Sequence, residues 1–249
     1  MMREVRRRHG LLLAWALVWV GLVLGVDRVS ARAPSDLKLG RLRVGKILFL
    51  GNSITLHGPK ADIGWTGNWG MAASTRENDF VHRLLARIGE QAGGEPAVKI
   101  RNLADFERRL LDFDLDEGLR DELRFQADLV IVALGENATS PTTDAERDTF
   151  SRAFDNLLRK LAAQGQPTIL VRNSFWPDAE KDRLIEQATQ RAQAVFVDLE
   201  KLGANPAHAA RAERSIEHAG VAAHPGDKGM EAIANAIWRR LLQTAGLEE

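Results

Sequence analysis

Asp128-Leu129-Val130-Ile131-Val132-Ala133-Leu134, followed at once by Gly135-Glu136-Asn137, decides how the rest of the chain is read. A short aliphatic run bounded by a charge and a glycine predicts a strand covered on both faces. A strand with one wet face would alternate apolar with polar residues, and this one does not. Val44 to Leu50 (VGKILFL) has the same character and ends at Gly51. Val98 to Leu103, Pro167 to Arg172 and Ala194 to Leu199 complete the set of predicted strands. Between them lie segments with apolar residues at helical spacing. These are 77–91 (Phe80, Val81, Leu84, Leu85, Ile88, stopped by Gly93-Gly94), 144–164 (Phe150, Phe154, Leu157, Leu158, Leu161), 179–193, and 227–244 (Met230, Ile233, Ile237, Leu241, Leu242). Leu110 to Phe125, acidic and amphipathic, is also predicted to be helical. Alternating strands and helices predict an α/β sandwich about a mainly parallel, doubly wound sheet.

The 249 residues suffice for one domain after loss of a targeting segment. Apolar residues at 45% and charged residues at 27% are the proportions of a chain that folds around a core, which excludes a disordered class. Lys+Arg and Asp+Glu number 34 each, so the chain lacks the net positive field expected of a nucleic-acid binder. The absence of cysteine excludes disulfides, thiolate-bound zinc, thiol catalysis and lipid attachment at cysteine. The histidines include no H-E-x-x-H pair, and neither metal nor other cofactor is expected. Gly51-Asn52-Ser53 could bind an anion at a helix start, but neither G-x-G-x-x-G nor G-x-x-x-x-G-K-[ST] follows a predicted strand, which argues against a nucleotide-binding domain.

Arg3, Arg6, Arg7 and Arg8 precede an apolar run from Leu11 to Val26, and Ala31-Arg32-Ala33 follows as a small-x-small site. This order predicts a secretory signal peptide over 1–33. The run is near the lower limit, about 17 residues, for spanning a bilayer, so an uncleaved signal anchor is the alternative. Either way the remainder is expected to be exported, periplasmic or extracellular, touching membrane only through this segment if it is uncleaved. Residues 34–43 read as a polar linker and 44–249 as one domain.

Sites in open parallel sheets form at the carboxyl ends of the strands. Three segments stand there or before the last helix: Gly51-Asn52-Ser53-Ile54-Thr55, Gly135-Glu136-Asn137, and His224-Pro225-Gly226-Asp227. Singly each has a plain structural use, Ser53 as a helix cap and Asn137 and His224 as turn residues. Together they supply a weak nucleophile that needs a base, an imidazole suited to be that base, and an amide able to donate to an oxyanion.

Isoleucine 47 to Thr55 (ILFLGNSIT) resembles the first block of SGNH hydrolases, also called GDSL-type esterases, with Asn52 in place of the usual Asp. Gly135-Glu136-Asn137-Ala138 is similar to the third block, Gly-x-Asn-Asp, and His224-Pro225 to the His-Pro pair of the fifth; the resemblance spans about 44 to 243. It implies a flavodoxin-like three-layer α/β/α sandwich and ester or thioester hydrolysis without a cofactor. It assigns Ser53 as nucleophile, Asn137 as oxyanion donor and His224 as base. Two departures matter. Val221 stands where the family carries an Asp three residues before the histidine, leaving a Ser-His dyad, a contribution from Glu217 or Asp227, or a backbone carbonyl to hold the imidazole. The second block reads Asn102-Leu103-Ala104-Asp105-Phe106-Glu107 and lacks the family's glycine. A carboxylate beside an oxyanion is harmful, so Glu107 is expected to point away or to pair with Arg108 or Arg109.

The glycine-rich stretch His57 to Ser74 leaves the nucleophile turn directly and is expected to rim the site. Trp65 and Trp69, which could stack on sugar rings, join Asn52 as candidate substrate-binding residues; the alternative is that both indoles pack the loop onto the domain. His57 is expected either to contact substrate or to cap the loop. The expectation is an exported serine esterase acting on small-molecule or polysaccharide esters, above all O-acetyl groups on carbohydrate. The alternatives are a lipid-ester or thioester hydrolase on the same fold, and a catalytically degenerate carbohydrate-binding module.

Overall fold

The computed structural model describes residues 36–248, so the signal segment expected over 1–33 lies outside the described residues. An antiparallel pair, β1 (Lys38–Leu39) and β2 (Leu42–Arg43), opens the fold. It is followed by β3 (Lys46–Gly51), α1 (Phe80–Ala92), β4 (Ala97–Asn102), α2 (Ala104–Arg109), α3 (Leu115–Gly118), α4 (Arg120–Arg124) and β5 (Leu129–Ala133). Then come α5 (Asp144–Ala162), β6 (Thr168–Arg172), α6 (Ala179–Arg191), β7 (Val195–Val197), α7 (Ala219–Ala223) and α8 (Asp227–Ala245).

The main sheet runs β4-β3-β5-β6-β7 with every pair parallel. Successive side chains of a strand face opposite sides, so one aliphatic run feeds two cores. Ile47 and Phe49 of β3 and Leu129 and Ile131 of β5 pack with α1 and α8, including Phe80, Leu84, Ile233 and Ile237. Leu48, Leu50, Val130 and Val132 face the other way, onto Phe150, Phe154 and Leu157 of α5 and Leu184 and Ile185 of α6. This is the three-layer α/β/α sandwich. Helices α1, α5 and α6 start where side chains accept orphan N–H groups. Asp79 accepts from His82 N, Asp178 from Lys181 N, and Thr143 with Glu146 forms a reciprocal capping box. Among the described residues no helix is long and apolar enough to cross a membrane.

Two expectations need correction. Residues 34–43 are not simply a polar linker: from Lys38 they form the β1–β2 hairpin, whose Leu39 and Leu42, with Leu37 and Val44 beside it, are buried against the α1–α8 side of the sheet. The leucines, not the charges between them, decide the placement. Nor is 110–125 one helix. Leu110 takes a positive φ of 49°, Asp114 starts α3 by accepting from Asp116 N and Glu117 N, and the Phe113 ring occupies the place a Cβ of Gly118 would take.

Candidate active site

The chain order reverses at β3, with β4 on one side and β5 on the other, so a crevice opens beyond the carboxyl ends of β3 and β5. Gly51 ends β3 where a Cβ would collide with Thr55 Oγ1 and press on the Ala133 carbonyl. Its absence lets a tight turn form. Thr55 N and Leu56 N both donate to Asn52 O at 3.0 Å, and Ile54 N donates to Asn52 Oδ1 at 3.1 Å. The turn presents Ser53, half-buried, with Oγ 2.8 Å from His224 Nε2. Ser53 thus caps no helix. Its backbone N–H makes no hydrogen bond among the described residues.

His224 follows α7, a short helix of small residues that His218 caps by accepting from Val221 N. Its Nδ1 lies 2.7 Å from the Gly220 carbonyl oxygen. A carbonyl can only accept, so the proton sits on Nδ1 and the Nε2 lone pair faces Ser53. The Trp176 ring stands edge-on to the imidazole at 5.2 Å between centroids and 89° between planes, fixing it from the side. Burial holds the His224 pKa below the ordinary histidine value, against the opposing pull of the Gly220 carbonyl. No carboxylate among the described residues bonds Nδ1. Asp227, one of the candidates for that role, instead accepts from Ser74 N at 2.7 Å and Ser74 Oγ at 2.5 Å.

The Gly135-Glu136-Asn137 loop rests on a buried polar network. Gly135 takes φ +137°, and a Cβ there would meet Ser174 Oγ and the Ile185 side chain, so the loop requires glycine. Lys181 Nζ donates to Gly135 O and Ala138 O, each at 3.0 Å. Glu136 Oε1 accepts from Arg172 Nη1 at 2.6 Å and Phe175 N at 2.9 Å, and its Oε2 from Asn52 Nδ2 at 2.6 Å. Glu107 also turns inward and is 1% exposed. Its Oε1 accepts from Gly135 N (2.5 Å), Asn52 Nδ2 (3.1 Å) and Asn137 N (3.4 Å), and its Oε2 from Asn137 Nδ2 (2.6 Å). Burial, and after it the charge of Glu136, hold the Glu107 pKa above the ordinary carboxylate value, against the pull of these N–H donors.

Ser53, His224 and Asn137 therefore meet at one cleft of about 500 Å³. Other expectations are corrected. Glu107 neither points away nor pairs with Arg108 or Arg109. Arg108 bonds Asp105 and Asn137 Oδ1, and Arg109 bonds Asp112 O, because α2 turns Phe106 and Glu107 inward together and leaves both arginines outside. Asn52 is fully buried beneath the turn and both its amide bonds go to carboxylates, so it supports the site rather than facing substrate. Trp65 is 8% exposed and donates Nε1–H to His57 O, while Trp69 donates to Ala73 O, and the two rings pack edge to face at 5.6 Å. Neither lines the cleft: the indoles hold the loop to the domain. His57 does line it, with Nδ1 2.6 Å from Gly58 O. Unforeseen in the sequence were Gly220, which acts through its backbone, Trp176, and Arg172, whose charge at the end of the apolar run Thr168–Arg172 was a legible signal.

A sheet of this order with a cleft at its switch point defines a doubly wound α/β protein with a flavodoxin-like topology. A model of the GDSL-like lipase/acylhydrolase family matches residues 49–232, and the chain belongs to that family, whose members are ester-hydrolysing enzymes of the SGNH superfamily. The structure is similar to that of a protein described as a GDSL-like lipase from Bacteroides ovatus, with a TM-score of 0.54, 13% identity, and coverage of 80% of this chain and 99% of that one. A protein described in the same words from Bacteroides uniformis gives a TM-score of 0.52 at 15% identity, covering 80% and 96%. At these identities the likeness concerns the fold. Among curated proteins none matches the chain significantly.

Proposed function

We propose that the protein is an exported serine esterase that removes short acyl groups, acetyl above all, from hydroxyls of carbohydrate, using a Ser53–His224 dyad. The observation that carries this reading is the 2.8 Å Ser53 Oγ to His224 Nε2 contact, with Nδ1 held by a backbone carbonyl. His224 Nε2 takes the Ser53 proton as Oγ bonds to the ester carbonyl carbon. The resulting oxyanion is met by the Ser53 N–H and by the Asn137 side chain. His224 then passes its proton to the leaving alcohol, and an acyl–Ser53 ester remains. Water, deprotonated by His224, attacks that ester, and the carboxylic acid leaves as Ser53 regains its proton.

The cleft wall supports a short acyl group and a polar alcohol. His57, Lys60, Asp105, Arg108 and His218 give it donors and acceptors suited to hydroxyls, and its aliphatic part is confined to Ile63, Met71, Ala104 and Val221, too little for a long chain. Export rests on the order of charges and apolar residues at the N-terminus. The test is hydrolysis of p-nitrophenyl esters of increasing chain length and of acetylated oligosaccharides, each against Ser53→Ala. Ser53-dependent turnover that is steepest for acetate is expected; preference for long acyl chains would favour the lipid-ester alternative, and no turnover of any ester by folded protein the binding-module alternative.

The dyad also sets a pH dependence. The base works neutral, so activity is present above the His224 pKa and lost as pH falls through it. Because burial lowers that pKa, kcat/KM is expected to hold below pH 6.5 before declining. An acid limb centred above 6.5 contradicts the assignment. Glu217→Gln is expected to leave the profile unchanged.

A further inference from the structure

We propose that Glu107 is a positioning residue that aims the Asn137 amide at the oxyanion, a role that rests on the esterase reading above. A side-chain amide can sit either way round, and its partners decide which. Asn137 Oδ1 receives Arg108 Nη2 at 3.2 Å, and a guanidinium can only donate. Asn137 Nδ2 faces Glu107 Oε2 at 2.6 Å, and a carboxylate can only accept. Turning the amide over would set donor against donor and oxygen against oxygen. The consecutive residues Glu107 and Arg108 thus hold the amide from both ends.

The two Glu107 oxygens have separate uses. Oε1 gathers Gly135 N, Asn137 N and Asn52 Nδ2, which ties the loop after β5 to the nucleophile turn after β3. Oε2 takes the Asn137 side chain alone. That uses one hydrogen of Nδ2. The other has no acceptor among the described residues, and Asn137 shares the wall of the cleft with Ser53. In place of a backbone N–H from a glycine, this segment of the chain supplies a carboxylate that orients a donor carried elsewhere. The N–H groups around Glu107 oppose the burial that raises its pKa and so favour the accepting form that the Asn137 amide needs.

The test is Glu107→Gln, which keeps the shape but replaces one acceptor with a donor. Kinetics are measured on acetate esters in four proteins: wild type, Glu107→Gln, Asn137→Ala and the double variant. If Glu107 acts by aiming Asn137, Glu107→Gln lowers kcat by about 10² to 10³ with KM little changed, as loss of one oxyanion donor does. In the Asn137→Ala background it then has little further effect. A full additional loss in that background, or wild-type kcat in the single variant, overturns the proposal. Should Glu107→Gln not fold, the Asn137 side-chain amide is read by NMR in the wild-type chain: one proton strongly downfield, lost in Asn137→Ala, is expected, and two ordinary amide protons overturn the proposal. Failure of the esterase reading is separate, since it appears in the wild-type chain itself, as no turnover of any ester or as turnover that survives Ser53→Ala.

Discussion

Ser53→Ala is expected to lower turnover of acetate esters by about 10⁶, the loss seen when the nucleophile of a serine protease is removed, while circular dichroism and the urea midpoint stay at their wild-type values. The side chain's hydrogen bond is to His224 alone, and it sits in a turn held by Asn52, so its loss leaves the packing intact. The sharper measurement is the cycle with His224→Ala. Nucleophile and base act as one unit, so either single variant should lose about as much as the pair. Losses that multiply would mean that Ser53 and His224 act on different steps, and the dyad would be abandoned.

Arg172→Met is expected to destabilise the fold by about 3–5 kcal/mol, the cost of stranding the other member of a buried ion pair. Arg172 is fully buried and reaches Glu136 Oε1 at 2.6 Å and Asn173 O at 2.8 Å. Burial alone would push the Glu136 carboxyl up, but the charge of Arg172, the Phe175 N–H and the Asn52 amide outweigh it and hold the pKa below the usual value. The depressed folded value means that Glu136 contributes stability above the unfolded pKa of about 4.3, lost as pH falls through the folded value. Without Arg172 the sign reverses. Burial then raises the folded pKa, so the variant's deficit should be widest near neutrality and narrow on acidification. Urea unfolding at several pH values checks this, with Arg172→Met/Glu136→Gln expected to recover part of the loss. A deficit independent of pH would place its origin in packing instead.

The central strands were legible because β3, β5 and β6 are short aliphatic runs between breakers, and the β3–β5 ladder from Ile47–Leu129 to Gly51–Ala133 falls where the sequence placed those strands. The convergence of Ser53, Asn137 and His224 was legible too, since all stand at a strand end or a helix start and the sheet brings those places together. What failed to show were the directions of single side chains. Helix α2 has only six residues, too few for periodicity to say that Glu107 faces inward. Trp65 and Trp69 carry the same signal whether they meet a ligand or staple a loop, and only the bonds to His57 O and Ala73 O decide between these. The leucines of the β1–β2 hairpin were masked by the charges around them.

One consequence of the Gly220 carbonyl concerns inheritance. A carboxylate in its place could be deleted by a single codon change, whereas a main-chain oxygen is present whichever residue is encoded. The imidazole's support is therefore immune to point mutation in the ordinary sense and is exposed only to changes that move its backbone. Such changes are close at hand: a methyl group at 220 would press on the His218 ring, with 3.0 Å to Cε1, and His218 is the cap of that same turn of chain. Residue 221 is held by a different constraint, since Val221 is buried against Trp65, Met71 and Ala210, so what descendants must keep here is an apolar contact and the shape of the helix that carries it.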